Sequence, residues 1–350
     1  MTEQRRWADH SLVQLTRVRY REFFREPEAV FWVFVFPILL AAGLGIAFRN
    51  RAPERTTVGV VASGDTTLLA ALRRGEELDA SLMTEAQARE ALRTGDVALV
   101  IFRAAGGGIE YRYDHTRPES RMARLLVDDA LQRAQGRQDP VPVRDRLVSE
   151  RGARYIDFLV PGLLGMNLMG SGIWGLGFAI VDARKKRLLK RLIATPMSRF
   201  QYLASFALSR LTLLFLEVGL LLGFAMLVFG VPLRGSLPLL VVICLVSSLS
   251  FASLGLLIAS RAQTMEGASG LMNLAMLPMW IFSGVFFSAS RFPEAIQPFI
   301  QALPLTAVID ALRANILRGA GWQTVAPELG VILLWMAGSF LLALKLFRWR

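Results

Sequence analysis

The chain has 350 residues, 53% of them hydrophobic and 19% charged, with a formal net charge of +12. A mean hydropathy of +0.43 alongside so many charges requires the charges to be segregated along the chain, which is typical of a membrane protein. The cations lie at the ends of apolar runs and in one polar block, so nucleic-acid binding is a poor explanation of the charge. The single cysteine, Cys244, excludes an intrachain disulfide and a cysteine metal site, and His10 and His115 are far apart.

Residues 1–28 are polar, basic and of helical pattern. A loose apolar stripe lies against a row of arginines: Leu12, Leu15, Val18 and Phe23 against Arg17, Arg19, Arg21 and Arg25. This pattern predicts an amphipathic helix lying in the cytoplasmic membrane interface. The alternative is a topology signal on a frayed terminus.

Six apolar runs are each near the ~20 residues needed to cross the hydrocarbon core. They are residues 29–48, 158–181, 203–229, 237–260, 267–288 and 326–347. The first is not expected to be a cleaved signal peptide, because Arg49 and Arg51 follow it without a clear small-residue cleavage site. The third carries Glu217, a functional-site hypothesis by default as an acid within a span, with Arg210 as a candidate partner.

Residues 49–155 read as a small α/β domain. Here 18 arginines nearly balance 16 acids, as in an ordinary water-soluble domain. Periodicity predicts strands at 56–62, 78–83, 97–102 and 109–113, and helices at 66–74, 85–93 and 117–137. Thr84 and Gln87 match a capping box that opens the second helix. About 100 residues are enough for a core of its own.

A basic segment separates the second and third apolar runs. Residues 184–191 hold six cations in eight positions, while Leu188, Leu189, Leu192 and Ile193 recur at helical spacing until Pro196. This predicts a short cytoplasmic amphipathic helix on which a soluble partner could push. The alternative is a segment that only sets topology and touches lipid headgroups.

Residues 289–325 are too polar to span and too apolar for a free loop. Two short helices are predicted, at 293–302 and 305–317, as a re-entrant hairpin in the outer leaflet. A pair of helices lying on the surface is the alternative. In the second helix one face is predicted to be apolar and the other polar: Val308, Ile309, Leu312 and Ile316 against Asp310, Arg313 and Asn315.

The orientation follows from the short loops. The lead-in, the basic segment and the C-terminal tail are rich in cations, whereas the connection between the third and fourth runs has only Arg234. Short cationic loops stay in the cytoplasm, so both termini are predicted inside and the spans to be even in number. Long loops escape this rule, and residues 49–155 are therefore predicted to lie outside.

Motifs for energy conversion or catalysis are absent from the sequence. There is no GxxxxGK[ST] loop, and Gly106-Gly-Gly108 lacks the lysine and hydroxyl of a phosphate cradle. No Ser/His/Asp set or paired carboxylates occur at recognisable spacing. The chain is not expected to be an enzyme, and energy for any work must come from elsewhere.

The whole arrangement resembles the permease subunit of a type-2 ATP-binding-cassette exporter. The most specific stretches are Val160-Pro-Gly162, residues 190–199 with their Leu-x-x-Thr-Pro element, and residues 282–287 with the later Phe292-Pro293 and Leu303-Pro304. The resemblance implies a polytopic α-helical membrane protein with six spans and an extracytoplasmic α/β insertion. The spans would be 29–48 and five more within 156–350, with the re-entrant helices at 290–325, in the bacterial cytoplasmic membrane.

The resemblance also implies partners. Residues 183–196 would be the coupling helix that docks on a separate cytoplasmic ATPase, which binds the ATP and magnesium; this chain would hold no cofactor or metal. The residues implied are Arg184, Lys185, Arg187, Leu188, Lys190, Arg191, Leu192, Ile193, Thr195 and Pro196. Relatives often carry acids and a glycine where this chain has Ala183-Arg-Lys-Lys-Arg187, which suggests an acidic groove on the ATPase.

A second permease copy or a paralogue would complete a dimer within the membrane lipids, with the second and fifth spans at the interface. Six glycines make the second span rich in small residues, which permits close helix approach. Candidates for the pathway or the dimer interface are Asn167, Gly170, Met272, Asn273 and Met276. Interhelical hydrogen bonds and plain packing are the alternatives. The expected function is export of a drug, lipid or metabolite; a mechanotransmitting protein that drives an extracytoplasmic partner is the alternative.

Overall fold

The computed structural model describes residues 11–48, 55–61, 66–73, 77–103, 108–137, 152, 154–185, 199–262 and 264–346. The chain divides into two compact units. One comprises Met1–Arg49 together with Ser149–Arg350, and the other is Asn50–Val148.

The larger unit begins with helix α1, Ser11–Arg25, and helix α2, Pro27–Ala47, which is π-helical over Phe31–Val35. Helix α1 packs against the later helix Arg199–Phe229 with Thr16 buried at the contact. This packing corrects the predicted stripe. Val18 lies 49% exposed on the opposite side, whereas Arg19 is half-buried and pairs with Glu22 at 3.4 Å.

The smaller unit is a four-stranded sheet with helices on both faces. Its elements are β1 Thr56–Val61, α3 Thr66–Arg73, β2 Leu78–Leu82, α4 Glu85–Thr94, β3 Leu99–Arg103, β4 Ile109–Arg112 and α5 Pro118–Ala134. The strand order is β2-β1-β3-β4; β1 is parallel to both β2 and β3, and β4 is antiparallel to β3. The predicted strands and helices are therefore confirmed within one to three residues at most ends.

Alternation along the strands explains the two-sided core of this unit. Val58 and Val60 of β1 face α3 and α5, and Val100 of β3 packs with α4 on the other face. The capping box is confirmed, because the Gln87 amide donates to Thr84 Oγ1 at 3.3 Å and the Thr84 amide donates to Gln87 Oε1 at 2.9 Å. Gly106 and Gly107 of the Gly106-Gly-Gly108 run lie outside the described residues.

Five long and two short helices follow in the described part of the larger unit. They are α6 Tyr155–Lys185, α7 Arg199–Phe229, α8 Leu237–Arg261, α9 Met265–Phe282, α10 Gln297–Ala302, α11 Pro304–Ile316 and α12 Trp322–Leu346. Five described helices are long and apolar enough to cross a membrane: α2, α6, α7, α8 and α12. Helix α9, over the predicted fifth span, is not among them. It is 18 residues long, contains Glu266 and Asn273, and ends before Gly284 turns the chain with a φ of 79°.

Helices α10 and α11 form the two short helices predicted before the last span. The pair Glu294–Ala302 and Pro304–Ile316 is bent by 85°, as in a broken span or a re-entrant loop, and would be the sixth span if counted as one. The predicted polar face of α11 is wrong in part, because α6, α8 and α12 pack around this helix. Asn315 is fully buried and the Arg313 side chain is 13% exposed, while Asp310 remains half-exposed.

Candidate functional site

A buried polar cluster joins α6 to α7 within the apolar core. Glu217 of α7 is 2% exposed, and Ser171 Oγ of α6 donates to its Oε2 at 3.1 Å. Arg210, two helical turns before Glu217, places Nη1 3.7 Å from Glu217 Oε1. That distance is an ion pair but is too long for a hydrogen bond. The partner that the sequence suggested for Glu217 is thus confirmed.

The cluster is incompletely satisfied. Glu217 Oε1 and Arg210 Nη2 are buried and have no hydrogen-bond partner among the described residues. Gly175 of α6 lies beside the guanidinium, since a Cβ there would be at ordinary contact distance, 3.6 Å, from Arg210 Nη1. An ion pair buried in an apolar bundle without full hydrogen bonding is costly, so these residues are a functional-site hypothesis by default. In the part of the chain that the structure describes, no three His, Cys, Asp or Glu side chains are grouped as metal ligands.

This cluster lies on the two helices that flank the basic segment. Helix α6 ends at Lys185, which is exposed, and α7 begins at Arg199. Arg184 and Lys185 of the predicted coupling residues are thus in the last turn of α6. The others lie outside the described residues: Arg187, Leu188, Lys190, Arg191, Leu192, Ile193, Thr195 and Pro196.

Small residues of α6 pack against α8 within the same chain. A Cβ added at Gly172 would lie 2.6 Å from Phe251 Cβ of α8, and one at Gly255 of α8 would lie 2.6 Å from Ile173 O of α6. Real Cβ atoms do not approach other atoms so closely, so each helix requires a glycine where its partner crosses it. The predicted close helix approach is present, and it serves an intrachain contact at these positions.

The methionine face of α9 also lies inside the chain. Met272 and Met276 are fully buried, and they face α6 next to Gly177 and Gly170. Unbranched, flexible side chains fill the irregular space that glycines leave in a neighbouring helix. Asn273 is exposed, beside this buried face of α9. Met272 and Met276 are therefore packed within the chain, whereas Asn273 is accessible from outside it.

Asn167 bonds to the first membrane helix. Its Nδ2 donates to Val33 O at 3.1 Å, within the π-helical stretch of α2, and the residue is 8% exposed. A π-helical turn disturbs the regular pairing of carbonyls, and an amide from a neighbouring helix can supply the donor. In this structure Asn167 makes an interhelical hydrogen bond of the kind that the sequence left open.

Arg313, which the sequence placed on a polar face, fastens three elements together. Its Nη2 donates to Gly284 O at 2.6 Å and to Phe158 O at 3.3 Å, and its guanidinium lies 3.6 Å from the centre of the Phe158 ring. The loop that carries Gly284 also touches α6, because a Cβ at Gly162 would lie 2.5 Å from Val285 O. The Val160-Pro-Gly162 and 282–287 stretches noticed in the sequence therefore meet at one joint.

A second ionic contact closes the start of α6. Asp157 is fully buried, and its carboxylate accepts from Arg154 Nε and Nη2 at 2.9 and 2.8 Å and from the Gly152 amide at 2.8 Å. A carboxylate in the first turn also suits the helix dipole. Arginine three residues before aspartate at the start of an apolar run was a readable signal for this contact, and sequence reasoning missed it.

Comparison with known proteins gives a consistent result. The family model described as "ABC-2 family transporter protein" matches residues 28–345. The chain is 26% identical over 173 residues to the inner membrane transport permease YhhJ of Escherichia coli, covering 49% of this chain and 46% of that protein. It is 26% identical over 174 residues to the linearmycin resistance permease protein LnrN of Bacillus subtilis, covering 50% and 45%. The match to ABC transporter G family member 20 of Dictyostelium discoideum is 27% over 223 residues, covering 62% and 30%. The chain thus spans about half the length or less of these relatives.

Proposed function

The chain belongs to the ABC-2 family of transporter proteins and is a type-2 ABC permease, and from this premise we propose that it is the membrane subunit of an ATP-driven exporter in a bacterial inner membrane. A separate cytoplasmic ATPase supplies the energy and binds the ATP and magnesium. Both chain termini lie in the cytoplasm and the α/β unit lies outside. Two permease chains pair in the membrane, as the small size of one bundle requires.

The observation that carries this proposal is the tie between the helices on either side of the basic segment. Ser171 of α6 and Glu217 of α7 are hydrogen-bonded in the core, and residues 186–198 connect these same two helices. A force applied to the segment therefore acts on both helices together. Without this hydrogen bond the segment could move without moving both helices, and ATP hydrolysis would then rearrange only the segment itself.

Helix α6 carries the movement onward. Its other end is fixed by the Asp157–Arg154 contact and by the joint of Arg313, Gly284 and Val285. At 1.5 Å per residue a 31-residue helix is about 46 Å long, enough to reach from one membrane surface to the other. We infer that α6 is the lever that links ATP hydrolysis at the cytoplasmic segment to rearrangement at this joint.

The substrate class follows from the surroundings. The core helices present apolar surface with few polar groups, which suits a hydrophobic or amphipathic cargo rather than an ion. One relative is named for resistance to linearmycin, and this supports outward transport of a small molecule. Drug, lipid and metabolite all fit this chemistry.

The experiment tests docking of the ATPase on the basic segment. Leu192→Asp places an unpaired charge in a desolvated contact, at a cost of several kcal/mol, and should abolish recovery of the ATPase with the purified permease. Arg187→Ala is the matched control, because a charge at the rim contributes about 1 kcal/mol or less and should mainly alter the salt dependence.

Both variants are compared in detergent with the ATPase that copurifies with the wild-type chain, and the size-exclusion profile of each variant checks its fold. Undiminished recovery with Leu192→Asp would contradict the coupling role. Normal docking with ATP hydrolysis but no substrate movement would favour mechanotransmission instead of export.

A further inference from the structure

Helix α1 carries a row of cations on its exposed face. Arg17, Arg21 and Arg25 are spaced four residues apart, and all three are exposed. Residues at this spacing share one side of a helix, with successive members about 6 Å apart along the axis. We call these three residues the arginine row.

The position of the arginine row is fixed by the opposite face of the helix. Thr16 is buried where α1 packs on α7, and the Phe23 ring lies 6.0 Å from the Phe34 ring of α2 in an edge-to-face arrangement. Since Phe34 belongs to the first membrane helix, α1 is held beside the start of that span. Its arginine row therefore points away from the bundle.

The described acids do not neutralise the row. Glu22, the acid within α1, lies three residues before Arg25 but pairs with Arg19. None of the three arginines forms an ion pair with an acid in the described part of the chain, although Glu26 and Glu28 follow the end of the helix. Three neighbouring guanidinium groups are thus available to an anion.

Two apolar side chains of α1 lie beside the row, and an exposed tryptophan lies in the first turns of the next helix. Val18 and Phe24 are 49% and 54% exposed on the same helix, and Trp32 is 54% exposed in the first turns of α2. Cations beside exposed aromatic rings are typical of the headgroup level of a membrane, where both are favoured. An acidic protein surface would pair with the arginines but would leave Phe24 and Trp32 without a reason to be exposed.

We propose that the arginine row is a binding surface for the phosphate headgroups of anionic phospholipids. Arginine suits this role because its planar donors bind phosphate oxygens in pairs. The proposal does not depend on export or on the ATPase, because it concerns the lipid that surrounds the permease.

The test uses Trp32 as a local reporter of neighbouring lipid. The full chain is reconstituted in phosphatidylcholine vesicles that contain either brominated phosphatidylglycerol or brominated phosphatidylcholine, since bromine quenches tryptophan emission. Subtracting the signal of a Trp32→Phe variant isolates Trp32. We expect brominated phosphatidylglycerol to quench at a lower mole fraction than brominated phosphatidylcholine. Each arginine removed should weaken this preference about fivefold at low salt, and Arg17→Gln, Arg21→Gln and Arg25→Gln together should abolish it.

Two control variants complete the design. Lysine at the same three positions keeps the charge and should keep the preference for phosphatidylglycerol. Glutamine at three exposed arginines of the α/β unit, Arg89, Arg93 and Arg124, lowers the net charge equally and should leave the preference unchanged.

Equal quenching of the wild-type chain by the two lipids would overturn the proposal. So would an unchanged preference in the triple glutamine variant. If that variant instead lost recovery of the ATPase while its lipid preference stayed the same, the row would be a protein contact and the proposal would be wrong.

Discussion

Replacing Gly255 with alanine tests whether the helices of the core touch as closely as the structure shows. The new Cβ would lie 2.6 Å from Ile173 O and 3.0 Å from Ile173 Cα, whereas ordinary van der Waals contact begins near 3.4 Å. Both atoms belong to the backbone, so no side chain can rotate away. The backbones of α6 and α8 must therefore shift apart at this point.

The expected size of the effect follows from two opposing contributions. Forcing an extra carbon into a well-packed core costs ~1–3 kcal/mol. Alanine favours a helix over glycine by about 1 kcal/mol. We therefore expect Gly255→Ala to lower the free energy of unfolding by up to about 2 kcal/mol.

Gly219→Ala is the matched control, because this glycine lies within α7 and no atom would come within 4 Å of its Cβ. This variant should be neutral or more stable by up to about 1 kcal/mol. The difference between the two variants thus measures the steric contact alone. Unfolding titrations of the purified protein in mixed micelles, from detergent into dodecyl sulfate, give both values under one set of conditions.

Gly172→Ala probes the same contact from the other helix, since its Cβ would lie 2.6 Å from Phe251 Cβ. Once the helices have separated, the second substitution costs less, so Gly172→Ala with Gly255→Ala should destabilise by less than the sum. Equal stability of Gly255→Ala and Gly219→Ala would refute the reasoning. An effect that varied with protein concentration would place the contact between two chains rather than within one.

Three further outcomes are expected. Arg313→Lys keeps the charge but loses the planar fork, so the unfolding free energy in the same titration should fall by ~1.5–3 kcal/mol; an unchanged value would argue against the joint. A double-mutant cycle of Ser171→Ala with Glu217→Leu, which removes the acceptor, should give a coupling energy of about 0.6–1.7 kcal/mol, whereas strict additivity would deny their hydrogen bond. A membrane-impermeant thiol reagent on intact cells should label Ser63→Cys but not Ser198→Cys in a Cys244→Ser background, and the reverse pattern would invert the proposed topology.

The sequence predicted helices and strands well where the local signals agreed. The run at 237–260 is helix Leu237–Arg261, and the structure shows why it starts there: Ser236 caps it by accepting from the Leu239 amide at 3.4 Å. The same agreement of periodicity and capping located α4 in the smaller unit. The length of the apolar run did not predict a membrane-spanning helix correctly for α9. Polar residues lower the hydropathy of this helix, and it ends before Gly284.

Faces were harder to predict than elements. The predicted polar face of α11 assumed that one side of the helix is exposed to solvent. Instead, other helices pack on several sides of α11, and Arg313 and Asn315 point into the protein. The prediction for Val18 is wrong for a similar reason. A loose apolar stripe on α1 does not indicate which of its residues will contact α7. A periodic pattern indicates that a helix is amphipathic; only the neighbouring helices decide what each face touches.

Three polar side chains of the larger unit, Arg313, Asn315 and Asn167, have a common task. Arg313 donates to the carbonyls of Gly284 and Phe158, Asn315 Nδ2 approaches Ser236 O at 3.4 Å, and Asn167 donates to Val33 O. These carbonyls lie at a helix end, a turn or a π-helical stretch, and Ser236 O also accepts from the Leu240 amide at 3.1 Å. An apolar environment makes such partners obligatory, because an unpaired backbone group there costs several kcal/mol.

Glu217 does not fit this structural role. Among the described residues it bonds to side chains alone, Ser171 and Arg210, and one of its oxygens lacks a hydrogen bond. No break in the backbone requires a carboxylate at that point, and an apolar residue of similar size would pack against α6 at lower cost. A group that the fold does not need, held between the two helices that flank the basic segment, fits the movement that we propose for these helices. This is the physical reason to look for function at Glu217 before Arg313, Asn315 or Asn167.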